Sequence, residues 1–373
     1  MKNKAIVVGS GIVGLATARS LAVRGWEVTV FDRSPEPVGA SVRNFGMVWP
    51  VGQPTGPLLE RALLSRSLWI ELLSAAGAWF EETGSLLVLR QPEELRVAED
   101  FVARNRNFRS CALLTPKKAL QKAPALKAEG LLGAIWSPTE VIVDPRQAVP
   151  ALMTWLQEKV LVQFRLGQAV TEVGSGYVKT GGNRMEADLV VVCSGQDFET
   201  LFPEEFRKAS ITRCKLQMLR TEPQPAGWRL GTALCAGLTL THYASYADCD
   251  GLAELKKYYQ EHVPDYVRWG IHVMASQMGS GELTLGDSHE YGPGPDPFDK
   301  QFINQLILNY LYAFCDFPKR DIRETWHGIY AKMTDGRTEY VSEPEPGVWI
   351  INGLGGAGMT LSLGLTEEWA GAL

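Results

Sequence analysis

The stretch KAIVVGSGIVGLATARSL, residues 4–21, decides the fold of this chain. It begins with an apolar run over residues 5–8, passes through Gly9, Gly11 and Gly14, and continues with apolar residues at helical spacing. This pattern predicts a buried strand, a tight turn and the start of a helix. Glycine suits such a turn because the chain bends sharply and a pyrophosphate must approach the backbone, where the N–H groups of the helix N-terminus face its phosphates.

A carboxylate follows at the interval that a dinucleotide site needs. The segment EVTVF, residues 27–31, predicts a second strand, and it runs into Asp32, which lies 18 residues after Gly14. An acidic residue at about this distance is positioned to bind ribose hydroxyls. Strand, turn, helix and acid together favour a dinucleotide-binding unit over a glycine turn in some other βα unit.

Length and composition predict a folded protein with more than one domain. The chain has 373 residues, of which 45% are hydrophobic and 21% charged, so two domains with sizeable cores are expected. A net charge of −5 argues against nucleic acid or an anionic membrane as a partner. The six cysteines are scattered without a CxxC pair, and no uncharged stretch reaches membrane-spanning length. We therefore expect a cytoplasmic protein with reduced thiols and no metal site.

The segment after the second strand, residues 33–50, is long, irregular and rich in glycine and proline. Loops of this length are uncommon in compact domains and are usually functional. We expect Arg43 and Asn44 to donate hydrogen bonds to a bound ligand, with a plain surface loop as the alternative. Further on, a buried strand over residues 187–193 runs into Ser194 and Gly195, which predicts another strand ending at the same ligand.

The remaining patterns divide the chain into helices and strands. Apolar spacing predicts helices over 58–76, 145–159 and 300–314, a strand over 85–89 and a hairpin over 133–143. The block 211–323 lacks a phosphate-type glycine turn and predicts a separate, mostly β substrate domain.

The end of the chain repeats the opening pattern. A strand over 347–353 leads into LGGAGMTLS, residues 354–362, a second glycine-rich turn before a helix. Two glycine turns at opposite ends of the chain suggest one ligand held from both sides. Such a ligand is longer than a mononucleotide.

Five segments together resemble the flavin-dependent D-amino-acid oxidase/glycine oxidase/sarcosine oxidase superfamily, and they occur in its order along the whole chain: IVVGSGIVGLATARSLAVRGWEVTVFD, GASVRNFGMV, ADLVVVCSG, WHGIYAKMTDGR and INGLGGAGMTLS. The resemblance implies an α/β protein with a Rossmann-like FAD-binding domain of the glutathione-reductase type. A second, α+β substrate domain would have a mainly antiparallel sheet. The expected boundaries are 1–84, 140–207 and 324–373 for the FAD-binding domain, and 85–139 and 208–323 for the substrate domain.

The resemblance also implies which residues hold FAD. The candidate cofactor-binding residues are Gly9, Gly11, Gly14, Asp32, Arg33, Ser41, Arg43, Asn44, Gly46, Met47, Val170, Ser194, Gly195, Gly355, Gly356, Gly358, Met359 and Thr360. Asp32 would bind the adenosine ribose, although the family more often has Glu there. The loop from Arg43 to Met47 would lie beside the isoalloxazine ring, and the last glycine turn would close on the other end of the cofactor.

Three departures from the family pattern bear on chemistry. Gly328 stands where sarcosine-oxidase-like members attach flavin to a cysteine, so we expect non-covalent FAD. Tyr330 follows the Trp326-His-Gly-Ile pattern where amino-acid-specific members have an arginine that pairs with the substrate carboxylate, and Thr360 replaces a second, lysine anchor. Without these cations carboxylate binding loses charge-assisted hydrogen bonds, so a standard α-amino acid is not the expected substrate.

The expected activity is oxidation of the C–N bond of a small primary or secondary amine by hydride transfer to flavin N5. A group of FAD oxidoreductases that accompanies phosphonate breakdown shares WHGIYAKMTDGR and GGAGMTLS, which adds aminoalkylphosphonates to the candidate substrates. The candidate catalytic residues are His327, Tyr330 and Lys332, and the candidate substrate residues are Met47, Trp49, His242, Tyr243 and Tyr330. Each has a structural alternative: His327 as a packed histidine, Lys332 as a solvated strand residue, and His242 with Tyr243 as a strand pair.

Other functions stay open at this point. A glycine, D-amino-acid or sarcosine oxidase is the nearest alternative, a flavin-binding sensor without turnover is a second, and an NAD-dependent dehydrogenase is a third. The sequence leaves open both the electron acceptor, oxygen or another, and the oligomeric state.

Overall fold

A computed structural model describes residues 3–373 of the chain. Its strands are β1 (Lys4–Val8), β2 (Glu27–Asp32), β3 (Met47–Val48), β4 (Phe80–Glu81), β5 (Ser85–Leu89), β6 (Ala112–Leu114), β7 (Gly133–Ser137), β8 (Val141–Val143), β9 (Gln163–Leu166), β10 (Val170–Gly174), β11 (Tyr177–Thr180), β12 (Asn183–Glu186), β13 (Leu189–Val192), β14 (Ile211–Thr221), β15 (Ala233–Ala236), β16 (Met274–Gln277), β17 (Leu283–Gly286), β18 (Glu290–Gly292), β19 (Ile322–Met333), β20 (Tyr340–Glu345) and β21 (Val348–Asn352).

The helices are α1 (Ile12–Ala22), α2 (Pro57–Ala76), α3 (Pro92–Asn105), α4 (Pro116–Lys122), α5 (Pro145–Lys159), α6 (Pro203–Lys208), α7 (Leu252–His262), α8 (Pro264–Arg268), α9 (Gln301–Phe314) and α10 (Gly358–Gly371). Most of the predicted long elements are confirmed. Helix α5 begins at Pro145 as predicted, and the Asp144 side chain accepts a hydrogen bond from the backbone N–H of Arg146 at 3.0 Å.

A six-stranded sheet in the order β20-β21-β13-β1-β2-β9 carries both glycine turns. Its strands run parallel except for β20, which pairs antiparallel with β21. Helices α1, α2, α5 and α10 share one apolar core with this sheet, and the buried indole N–H of Trp69 donates to the Met359 carbonyl at 2.8 Å. The carboxyl ends of β1, β2, β13 and β21 therefore lie along one edge.

A nine-stranded sheet forms the other half of the molecule, with the order β18-β14-β17-β16-β15-β5-β7-β6 and with β19 paired to β14. Its pairs are antiparallel apart from β5 with β15, which confirms the mainly antiparallel sheet. Strand β19 pairs with β14 along its length, although the boundary predicted at residue 324 assigns most of it to the cofactor domain. That division into two domains stays a prediction.

The hairpin predicted over 133–143 is wrong. Strand β7 pairs with β5 and β6 in the large sheet, whereas β8 pairs with β3 and β4 in a small separate sheet. The buried Val141–Val143 strand finds its partner in Met47–Val48 rather than across the turn. Alternation alone therefore indicated the two strands but not their pairing.

All six cysteines are free thiols, as the sequence predicted, and five of them are buried. Within residues 3–373 no helix combines the length and the hydrophobicity needed to cross a lipid bilayer.

Candidate active site

The first glycine turn is sterically closed to any side chain at two positions. Gly9 has φ +110°, and a Cβ there would lie 2.3 Å from the Cys193 carbonyl oxygen. A Cβ at Gly14 would lie 1.9 Å from the carbonyl oxygen of Gly9. Helix α1 thus packs directly on the turn, and its N-terminus points into the space beyond β1.

Asp32 is fixed at the end of β2 by the same turn. Its Oδ2 accepts from the backbone N–H of Ser10 at 2.7 Å and from the Ser10 hydroxyl at 2.8 Å, while Oδ1 accepts from the N–H of Ser34 at 2.8 Å. Nearby, the Ser41 hydroxyl accepts from the N–H of Ile12 in the first turn of α1 at 2.8 Å. The carboxylate is therefore pre-oriented beside the helix N-terminus, where ribose and phosphate binding are expected.

The other strand ends meet at the same edge. Asn352, at the end of β21, donates from Nδ2 to the Gly195 carbonyl at 2.9 Å and to the Ser194 hydroxyl at 3.3 Å. These two hydrogen bonds connect the segment after β13 to the segment before the second glycine turn. Lys332 of β19 also forms an antiparallel bridge with Leu354, which brings the large sheet beside that turn.

One elongated cavity of about 880 Å³ connects the glycine turns to the face of the large sheet. Fourteen of the candidate cofactor residues line it: Gly9, Gly11, Asp32, Arg33, Ser41, Arg43, Asn44, Val170, Ser194, Gly195, Gly355, Gly356, Gly358 and Met359. His242, Tyr243, His327, Tyr330 and Lys332 line it as well. The structure therefore brings nearly all the predicted residues to one place.

Five candidates lie behind the wall instead. Gly14 and Gly46 meet backbone, since a Cβ at Gly46 would lie 1.8 Å from the Val143 carbonyl oxygen. Met47, Trp49 and Thr360 are buried, and the Thr360 hydroxyl accepts from the backbone N–H of Trp49 at 2.9 Å. Met47 and Trp49 thus pack behind the cavity wall, and their assignment as substrate residues stays a prediction.

Tyr330 faces the second glycine turn across the cavity. A Cβ at Gly356 would lie 3.4 Å from the Tyr330 hydroxyl, so that glycine leaves room for the phenol. Burial, and next to it the neighbouring Cys214 thiol, raises the pKa of Tyr330 well above the ordinary phenol value. The hydroxyl therefore stays protonated at neutral pH and is a hydrogen-bond donor in the cavity.

Lys332 and His327 differ in what holds them. The Lys332 ammonium donates to the Tyr291 hydroxyl at 3.1 Å and lies 5.0 Å from the centre of that ring. The Nδ1 atom of His327 is 2.9 Å from Asp299, whose other neighbour is the fully buried ammonium of Lys215, also at 2.9 Å. His327 is therefore held by the Asp299 carboxylate, which also binds Lys215, whereas Lys332 contacts the neutral side chain of Tyr291.

Sequence reasoning missed a cluster of histidines in the wall of the same cavity. His272, Asp287 and His289 join His242 there, and the His242 and His272 rings stack with centroids 3.7 Å apart. Burial lowers the pKa of His242 and His272 well below the ordinary value, lowers that of His289 to about 4, and raises that of Asp287. The three histidines are far apart in sequence, so no spacing signal pointed to the group.

The parallel sheet, the glycine turn at a helix N-terminus and the ribose-side carboxylate define a dinucleotide-binding protein of the Rossmann type. A family model described as DAO, FAD dependent oxidoreductase, matches residues 4–370, and the chain belongs to this family. Its cofactor is therefore FAD rather than NAD, and it belongs among redox enzymes.

Relatives of known name agree with this assignment. The chain is 30% identical to glycine oxidase of Geobacillus kaustophilus over 210 residues, which are 51% of this chain and 53% of the relative. It is 26% identical to D-amino acid dehydrogenase 2 of Pseudomonas aeruginosa over 255 residues, 52% of this chain and 61% of the relative. The matched regions thus span little more than half the length of these relatives.

Solved structures share the whole fold. L-proline dehydrogenase from P. horikoshii superposes with a TM-score of 0.77 at 22% identity, covering 99% of this chain and 92% of that one. The G. kaustophilus glycine oxidase structure also gives 0.77, at 20% identity, covering 100% and 95%. At sequence identities of 20–22% the similarity to these structures shows a shared fold.

Proposed function

We propose that this chain is an FAD-dependent oxidoreductase that oxidises the C–N bond of a small primary or secondary amine other than a standard α-amino acid. An aminoalkylphosphonate is the substrate class we favour. When bound, FAD supplies the hydride acceptor. The tasks of the protein are to bind the amine, to orient its α-carbon and to exclude water.

The cavity residues fit FAD. The backbone at Gly9 and Gly14 leaves no space for side chains, the α1 N-terminus offers N–H groups, and Asp32 offers a fixed carboxylate. Gly328, which stands where a covalent link to flavin would form in sarcosine-oxidase-like members, has no thiol. We therefore propose non-covalent FAD with its adenosine end at Asp32.

The substrate proposal rests on the hydrogen-bond partners of the arginines in the cavity wall. Within residues 3–373 the wall contains Arg33, Arg43 and Arg337, and each donates to another group: the Asp197 carboxylate at 2.7 Å, the His327 carbonyl at 3.3 Å and the Asp335 carboxylate at 2.8 Å. Arg33 and Arg337 are paired with carboxylates, and Arg43 donates one N–H to a backbone carbonyl. We therefore propose that none of the three acts as a bidentate carboxylate clamp beside Tyr330.

Tyr330 and Lys332 are the polar side chains that we propose for binding the substrate. Both belong to β19 and lie on the same side of that strand, since they are two residues apart. The protonated phenol of Tyr330 donates a hydrogen bond, and the ammonium of Lys332 attracts an anionic group as a point charge. A tetrahedral phosphonate accepts such single donors from several directions.

A comparison of matched substrates tests this function. The holoenzyme is given 2-aminoethylphosphonate, its N-methyl derivative, β-alanine, ethylamine, glycine, sarcosine, proline and D-alanine, and kcat/KM is measured with oxygen and with a dye acceptor. We expect the highest value for an aminoalkylphosphonate and a lower one for β-alanine, which has the same spacing but a carboxylate. Preference for glycine or D-alanine would overturn the proposal in favour of an amino-acid oxidase.

A glycine- or sarcosine-type oxidase is the second candidate, because glycine oxidase of G. kaustophilus is among the named relatives. The second candidate would have to bind a substrate carboxylate with Tyr330 in the place where amino-acid-specific members have an arginine. The same substrate panel separates the two candidate functions. Turnover with any of these amines would exclude a flavin-binding sensor.

A further inference from the structure

Three of the chain's five histidines lie side by side in the wall of the cavity. Their ring centroids are 3.7 Å apart for His242 and His272, 4.5 Å for His242 and His289, and 5.1 Å for His272 and His289. A group of desolvated imidazoles is costly unless its polar atoms find partners. The partners of each ring therefore indicate what the group can bind.

His289 and Asp287 can satisfy each other. The Nδ1 atom of His289 lies 2.9 Å from the Gly270 carbonyl oxygen, which can only accept, so Nδ1 carries the proton and Nε2 is an acceptor in the neutral ring. Burial raises the pKa of Asp287 well above the ordinary value. Its protonated carboxyl can donate to Nε2 of His289, which lies 3.8 Å from Oδ2, after a slightly closer approach. This half of the group is then uncharged.

His242 is the ring that is open to a ligand. It is partly exposed, whereas His272, which stacks on it at 27°, is 3% exposed and has a fully buried Nδ1 without a partner. Burial, and after it the neighbouring histidines and Lys332, lowers the pKa of both rings. Both are therefore neutral at neutral pH. A nearby anion favours a proton on His242, and the face of the neutral His272 ring then attracts that cation.

Lys332 supplies a fixed positive charge beside the group. Burial lowers the pKa of all three histidines, and the Lys332 ammonium is near enough to lower it further. That ammonium donates to the Tyr291 hydroxyl at 3.1 Å, and the Tyr291 ring stacks on His289 with centroids 6.2 Å apart. The titratable groups around His242 and His272 are Lys332 and Tyr330 of β19, Tyr291 of β18, Asp287 and His289 after β17, and Tyr243. Burial raises the pKa of the three tyrosines and of Asp287, so Lys332 is the one charged group in this set.

We propose that His242 and Lys332 form a subsite for a tetrahedral oxyanion, and that His242 takes up one proton from solvent when a dianion binds there. The identity of the ligand rests on the proposed function, under which it is the phosphonate end of the substrate. A phosphonate carries about two negative charges above neutral pH, as a phosphate monoester does. Lys332 balances one of these charges, and the proton on His242 balances the other.

The same charge balance separates a phosphonate from a carboxylate. A carboxylate has a single negative charge, which Lys332 neutralises alone, so it gives His242 little reason to take up a proton. A dianion beside a neutral His242 would leave one charge unbalanced in a desolvated wall, which is costly. The subsite therefore suits a dianion that recruits its own second positive charge.

Calorimetry with sulfate tests the subsite without any turnover. Sulfate is a tetrahedral dianion that binds no proton near neutral pH, so a proton taken up on binding goes to the protein. The holoenzyme is titrated with sulfate, and with acetate as the carboxylate, in buffers that differ in ionisation enthalpy. The variants are His242→Gln and Lys332→Met, and the matched control is His262→Ala, which removes an exposed histidine on α7. Flavin content and the unfolding midpoint report on folding in each.

We expect the wild type and His262→Ala to bind sulfate with uptake of about one proton, and acetate with none. His242→Gln should lose the uptake and bind sulfate at least ten-fold more weakly, whereas Lys332→Met should weaken sulfate binding but keep the uptake. In wild type labelled with ¹⁵N-histidine, sulfate should convert one imidazole from the neutral to the protonated form in the NMR spectrum, which decides the matter even if a variant fails to fold. Sulfate binding without proton uptake, no saturable sulfate binding, or unchanged uptake in folded His242→Gln would overturn the subsite.

Competition identifies the source of the oxyanion. 2-Aminoethylphosphonate should displace sulfate, and simultaneous binding of both would assign the subsite to a free anion and overturn its assignment to the substrate. Proton uptake with sulfate in an enzyme that oxidises no aminoalkylphosphonate would support the subsite and refute the proposed function. Failure of the subsite and failure of the proposed function are therefore distinguishable.

Discussion

Both oxygens of the Asp32 carboxylate are held by backbone N–H groups, Oδ2 by that of Ser10 at 2.7 Å and Oδ1 by that of Ser34 at 2.8 Å, and the Ser10 hydroxyl also donates to Oδ2 at 2.8 Å. Ser10 lies between the first two glycines of the turn. The turn that is expected to face the pyrophosphate therefore also orients the carboxylate that is expected to face the ribose. Loss of the turn or of the carboxylate should therefore weaken binding of the adenosine end of FAD.

Replacement of Asp32 by alanine should weaken FAD binding. A hydrogen bond to a charged group contributes about 1.5–3 kcal/mol, which corresponds to roughly a ten- to hundred-fold rise in Kd. The Kd is measured from the amount of released flavin, which the fluorescence of the ultrafiltrate reports. Asp265→Asn alters an exposed carboxylate on α8 and should retain wild-type affinity. Equal FAD affinity in Asp32→Ala and wild type would contradict the assignment of the ribose site.

Replacement of Gly14 by alanine should expel the cofactor and destabilise the protein. The new methyl group would meet the Gly9 carbonyl oxygen at 1.9 Å, so α1 must move away from β1. Overpacking of this kind costs about 1–3 kcal/mol. Thermal unfolding and flavin content measure the effect. Gly294→Ala is the matched control, because no atom lies within 4 Å of its added Cβ.

Denaturation in acid should release the flavin completely. The wall has glycine at residue 328, and a Cβ there would approach the Arg43 carbonyl oxygen to 3.2 Å. The one cysteine in the described part of the cavity wall is Cys193, and burial raises its pKa to about 12, which makes it a poor nucleophile. Precipitation followed by absorption spectra of supernatant and pellet checks this. Yellow colour retained in the pellet would indicate a covalent link.

Replacement of Lys332 by methionine should impair anionic substrates selectively. Loss of the point charge should raise KM for an aminoalkylphosphonate by about ten-fold or more, since a charge-assisted hydrogen bond is lost, and should leave uncharged amines of the same length little changed. Steady-state kinetics with both substrates measures the difference. Lys256→Met, which removes an exposed charge on α7, serves as the control. An equal effect on both substrates would assign Lys332 a structural role.

The cofactor end of the site was predictable from sequence because its signals are local. Gly9, Gly14 and Asp32 fall within one βαβ unit, where backbone sterics and strand direction fix their relation. The second glycine turn was predictable for the same reason. What local patterns did not give was strand pairing, as the buried strand Val141–Val143 shows by pairing with Met47–Val48.

The substrate end was only partly predictable. Tyr330 was found through its motif, but His272 and His289 lie in segments without any motif and meet His242 only through the folding of the large sheet. Trp49 is the opposite case, since this aromatic residue beside a functional loop is 4% exposed and packs behind the wall, and its role towards a substrate stays a prediction. Long-range packing, which decides both cases, leaves no spacing signal in the sequence.

The most direct test of the central claim is an anaerobic titration of the purified holoenzyme. The flavin absorbance is followed while 2-aminoethylphosphonate or its N-methyl derivative is added, with glycine and D-alanine as comparison substrates. We predict rapid bleaching of the bound flavin by about one equivalent of an aminoalkylphosphonate, and much slower bleaching by the amino acids. A flavin that stays oxidised with every amine, or that glycine reduces fastest, would contradict the account.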